Sequence, residues 1–106
     1  MATAHNNLGY ALSRQEKSDE AIRHYEISIQ SNPGNGLARM NYGNALFQQG
    51  RLLEALQAYQ EVLRVNPADA DAERNIGVVL NKTGRTNEAL THFQRALTLD
   101  ASQGKR

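Results

Sequence analysis

The 106 residues contain no cysteine, no tryptophan and only two prolines. Without thiols there is no disulfide framework and no thiolate chemistry, which fits a reducing compartment, so the cytoplasm is the expected location. Four tyrosines, two phenylalanines and a hydrophobic fraction of 40% suit a thin two-layer stack of helices better than a thick globular core. Charge of one sign is also lacking. Twelve Lys and Arg face eleven Asp and Glu, for a net +1 spread along the chain. Nothing in that balance recruits nucleic acid or anionic lipid by bulk electrostatics. The opening residues lack a basic segment followed by an apolar run, so no secretory signal is visible. No apolar stretch reaches the roughly 18 residues of a membrane span.

What the chain has is a period. Gly9, Gly43 and Gly77 are spaced by 34 residues, as are Ala21, Ala55 and Ala89, and likewise Tyr25, Tyr59 and Phe93. Self-similarity at that step marks one supersecondary unit stacked on itself. The repeats run 2–35, 36–69 and 70–103 in a single domain, with a polar tail at 104–106. Start and stop at repeat boundaries are what a segment of a longer array would show.

Within repeat two, Ala38, Tyr42, Ala45 and Leu46 fall at helical spacing, and so do Ala55, Leu56, Tyr59, Val62 and Leu63. Gly50 and Gly84 read as left-handed stops for the first helix of their repeats. Repeat one has Glu16 there, which predicts a less well capped turn. Asp19-Glu20, Glu54 and Glu88 place acid in the first turn of each second helix, where the helix dipole favours it. Asn32-Pro33 and Asn66-Pro67 close the second helices. The resulting map is six helices, at about 2–15, 18–31, 36–49, 52–65, 70–83 and 86–99. Glycine inside a helix costs about 1 kcal/mol relative to alanine. Three at one repeat position imply close approach, with Gly9 facing Ala21 and the aromatics filling the wedge between adjacent repeats.

The motif Leu8-Gly9…Leu12…Ala21…Tyr25…Pro33 recurs as Tyr42-Gly43…Leu46…Ala55…Tyr59…Pro67 and as Ile76-Gly77…Leu80…Ala89…Phe93. It resembles the tetratricopeptide repeat family. The aromatic opening position holds His5, Arg39 and Glu73 instead, and Ala101 replaces the last proline. The resemblance implies an all-α solenoid, a right-handed superhelix of three helix-turn-helix repeats whose first helices line a concave groove. It implies a protein-interaction module that binds an extended peptide of a partner, with no enzymatic activity, cofactor or small-molecule substrate.

On the first helices, the stripe that the resemblance turns to the groove is polar with isolated apolar anchors. Asn6, Asn7 and Tyr10 come from repeat one, and Met40, Asn41, Asn44 and Phe47 from repeat two. Repeat three adds Arg74, Asn75, Val78 and Lys82. Asn7, Asn41 and Asn75 share one repeat position, and a carboxamide pairs with both C=O and N–H of a peptide backbone. Such a row is similar to the asparagine ladder of O-GlcNAc transferases. Tyr10, Met40, Phe47 and Val78 then supply pockets for side chains. The carboxylate clamp of chaperone-binding members is not matched. Its positions read Asn6, Tyr10, Asn41, Asp71 and Asn75, and only Asn41 fits.

Other features read as structural. His5, His24 and His92 are surface residues on repeats too far apart to share a metal. Asp69-x-Asp71-x-Glu73 lacks the central glycine and closing acid of a calcium loop, and Asp69 serves as a helix N-cap. Gly34-Asn-Gly36 is an inter-repeat turn, and no nucleophile–base arrangement is recognisable. The groove's few basic residues, offset by Asp71, do not suit RNA. After repeat three the chain is too short and polar to cover Leu90, Phe93 and Leu97. The alternative reading is therefore a self-assembling unit, by head-to-tail stacking or exchange of terminal helices around Leu97.

Overall fold

The computed structural model describes the backbone of residues 3–103 and the side chains of residues 17–103. Five helices follow one another, with no strand among the described residues: α1 (Thr3–Ser31), α2 (Gly36–Gln48), α3 (Leu52–Val65), α4 (Ala70–Lys82) and α5 (Thr86–Ser102). Helices α2–α3 and α4–α5 form close hairpins, while α1 packs on α2 and α3 on α4. The stack is an α-solenoid whose core takes residues from all five helices, among them Ile22, Leu46, Tyr59, Ile76 and Ala89.

Glycine closes both hairpins. Gly50 and Gly84 sit at φ +78° and +84°, a region that costs other residues about 1–2 kcal/mol. In the first turn the Gly50 N–H donates to the Phe47 carbonyl at 2.9 Å and the Arg51 N–H to the Leu46 carbonyl at 2.9 Å. Gly84 and Arg85 repeat this on Asn81 and Leu80 at 3.1 and 2.8 Å. These paired bonds satisfy the last carbonyls of α2 and α4 and reverse the chain. At the opposite ends, Asn35 Oδ1 accepts from the Ala38 N–H at 3.1 Å and Asp69 Oδ1 from the Ala72 N–H at 3.0 Å. Asn35 thus caps a helix as well as shaping the inter-repeat turn. Glu54 and Glu88 are held by paired hydrogen bonds from Arg51 and Arg85, three residues earlier.

Repeat one departs from the six-helix map. Residues 2–15 and 18–31 do not form two helices; α1 runs unbroken through Glu16. Glu16 stands where the other repeats place a left-handed glycine, and Ser13-Arg14-Gln15-Glu16-Lys17 contains mostly good helix formers. Continuing the helix costs less there than turning. Gly9 and Ala21 consequently lie about 18 Å apart along one axis and do not face each other.

The internal glycines serve a different contact from the expected one. A Cβ on Gly43 would stand 2.6 Å from Tyr59 Cε1, and one on Gly77 2.6 Å from Phe93 Cε1. Each ring lies flat on the glycine of its own repeat, and Tyr59 also joins the core cluster that holds Ile76 and Leu80 of the next repeat. Tyr59 is 2% exposed and its hydroxyl donates to Asn44 Oδ1 at 2.6 Å. Elsewhere the hairpins differ in charge. Arg39 Nη1 approaches Glu61 Oε1 at 3.9 Å, whereas the equivalent Glu73 is buried with His92 Nδ1 2.6 Å away and shares a cavity wall with Arg95.

Two stability changes follow. Gly43→Ala forces a methyl into a ring that is buried and tethered, so a loss of about 1–2 kcal/mol is expected in urea unfolding, despite alanine's better helix propensity. Asp69→Ala removes the α4 cap and lowers stability by about 1 kcal/mol in the same assay.

Candidate functional site

The first helices of repeats two and three bring their stripes side by side. From α2 come Met40, Asn41, Asn44 and Phe47; from α4 come Arg74, Asn75, Val78 and Lys82. Two contacts stitch the stripes together. Asn75 Nδ2 donates to Met40 Sδ at 3.3 Å, and Lys82 Nζ lies 5.8 Å from the Phe47 ring centroid, within cation–π range. Between them, half-buried Asn41 makes no side-chain hydrogen bond among the described residues.

Other members of the stripe are already engaged. Asn44 accepts from the Tyr59 hydroxyl through its oxygen, and its NH2 makes no hydrogen bond among the described residues. The Arg74 guanidinium pairs with Asp100 at 2.7 Å and also with Asp71, so its charge is matched within α4 and α5. These bonds, that to Asp100 foremost, hold the Arg74 pKa above its ordinary value. The side chains of Asn6, Asn7 and Tyr10 lie outside the described residues. Their stretch of α1 continues straight on and does not fold back on 18–31.

One part of the surface joins stripe residues to others that the pattern did not point to. Leu37, Met40, Val65, Asp69 and Asp71 line a depression of 430 Å³ beside the inter-repeat turn. Its signal in the sequence is Leu37 and Val65, apolar residues flanking the Asn-Pro-Gly segment; they are 72% and 45% exposed. His92 is a second correction. It is half-buried against Glu73 and not a surface residue, whereas His24 is exposed. Among the described residues no three His, Asp or Glu side chains are placed to share a metal ion.

A tetratricopeptide repeat model matches residues 6–64 and 49–104. The chain belongs to the tetratricopeptide repeat family. Solved structures agree. MamA of AMB-1 is 32% identical, with a TM-score of 0.78 over 82% of this chain and 52% of that one. MamA of MSR-1 is 30% identical, with a TM-score of 0.79 over 92% and 56%. YrrB, a TPR protein with an unusual peptide-binding site, is 28% identical, with a TM-score of 0.76 over 89% and 48%. This chain spans about half the length of these solved chains. No curated protein matches it. Tetratricopeptide repeat folds generally mediate protein–protein interaction, and no helix among the described residues is long and apolar enough to cross a membrane.

The tyrosine beneath the groove gives a pH test. Burial pushes the Tyr59 pKa up to about 12, against about 10 in the unfolded chain. The folded state keeps its proton longer, so this contribution is whole below pH 10 and is lost as pH climbs from 10 to 12. Tyr59→Phe loses the Asn44 hydrogen bond, about 1 kcal/mol at neutral pH. Its thermal midpoint should fall less steeply than wild type over the same alkaline range.

Proposed function

We propose that the chain is a protein-interaction module whose α2–α4 surface takes an extended peptide segment of a partner. The carrying observation is the pairing of Met40 with Asn75 and of Phe47 with Lys82 around Asn41. It supports a continuous strip of amides and apolar anchors across two repeats. In this reading Asn41 holds the C=O and N–H of the peptide backbone, while Phe47, Val78 and Met40 contact its side chains. Asn75 turns one donor to Met40 and keeps its oxygen and second N–H for the ligand. Lys82 favours an acidic or carbonyl-rich segment at the Phe47 end. Arg74, matched by two carboxylates, plays a smaller part than its charge suggests. The likeness to YrrB, a TPR protein with an unusual peptide-binding site, supports the class of ligand. No catalytic role enters this reading.

A second reading has its own observation. Leu90 and Leu97 on α5 are 52% and 68% exposed, whereas Leu56, equivalent to Leu90 one repeat earlier, is 9% exposed beneath α4. With Phe93 they form a face suited to self-assembly.

Peptides selected against the folded chain from a displayed library of unstructured sequences test the groove. Asn41→Ala should weaken the selected peptides roughly tenfold in calorimetric titration, with helix content unchanged. Phe47→Ala should broaden the sequences recovered. If both variants bind like wild type, while Leu97→Asp abolishes self-association, the groove reading is wrong and the assembly reading holds.

A further inference from the structure

The straight course of α1 leaves a seat without its occupant. In repeats two and three the second helix receives the first across a glycine, with Gly43 under Tyr59 and Gly77 under Phe93. Ala55 and Ala89 are sealed there, at 0% and 1% exposure. Residues 18–31 of α1 carry the same receiving pair, Ala21 and Tyr25, and both remain only half-buried. The segment that matches the seat is residues 3–15, which keep Leu8, Gly9 and Leu12 in repeat register with Ile76, Gly77 and Leu80. Along an unbroken helix, however, Gly9 is about 24 Å from Tyr25. The seat and its fitting segment are on one chain and out of reach of each other.

We infer that residues 3–15 of a second copy fill this seat. Helical phase then sets the mode of association. Sixteen residues at about 100° each turn Gly9 about 160° away from Tyr25 around the axis. The donating and receiving stretches therefore look to nearly opposite sides of one rod. A closed pair about a two-fold axis needs them on the same side. Each copy accordingly gives its 3–15 to one neighbour and receives from another, and the assembly stays open-ended. The donated segment also brings Asn7 of one copy beside Asn41 and Asn75 of the next, completing the amide row in trans. That last consequence rests on the groove reading; the association does not.

Sedimentation of the full chain from a few to several hundred micromolar tests it, beside Glu16→Gly and Gly9→Leu. Glu16→Gly restores the glycine of the other two hairpins and lets 3–15 close on its own chain. Gly9→Leu obstructs the seat under Tyr25 while favouring the helix it sits in. Wild type should rise with concentration past twice its 11.8 kDa. Both variants should stay at one chain mass with undiminished helix content. A wild type that stays monomeric, a plateau at two chains, or a Glu16→Gly variant that associates as readily as wild type each overturns the proposal. Failure of the groove reading registers separately, as unchanged peptide affinity of Asn41→Ala at any mass.

Discussion

An aromatic ring resting on a bare helix backbone is the contact on which the rest of the structure depends. Glycine inside α2 and α4 weakens each helix by about 1 kcal/mol. Burial of a tyrosine or phenylalanine ring recovers that, at roughly 1.5–3 kcal/mol for a large apolar side chain. The ring can lie so low only because no Cβ stands at Gly43 or Gly77. Its position fixes how near the two helices of a hairpin come. It also turns the outer stripe of α2 toward that of α4, so that Met40 reaches Asn75 and Phe47 reaches Lys82.

Most of this architecture was legible because it repeats. A glycine, an alanine and an aromatic in phase three times over announce one unit and its stacking. Gly50, Gly84 and Asp69 each did what their residue type and position imply. The contact made by the internal glycines was not legible, since periodicity shows that two positions recur together but not which of them touch. Nor was the burial of Glu73. An acid at the family's aromatic position reads as a tolerated departure until His92 is seen beside it. For the groove, spacing identified a stripe but not its internal bonds. Asn44 and Arg74 look available in sequence, yet are bound to Tyr59 and to Asp71 and Asp100.

Repeat one shows how narrowly local and tertiary preferences are balanced. The hairpin contact asks for a turn at Glu16, and the turn asks for a left-handed residue. Without glycine the turn carries the cost of a crowded Cβ at the carbonyl, while the straight helix keeps its hydrogen bonds through the same stretch. One residue type, in a context of helix formers, decides between a hairpin and a rod of 29 residues.

Near-identical hairpins also create a hazard, because α2 meets a second acceptor in α5 that offers the same ring for its glycine. The reversed charges of the two hairpins answer it. Crossing partners would set Arg39 toward Arg95 and Glu73 toward Glu61, like facing like, where the native pairs join Arg39 with Glu61 and Glu73 with His92. Asn44 would likewise meet Phe93, which has no hydroxyl to offer it. While the chain folds, these few mismatches keep copies of one motif from being mistaken for each other.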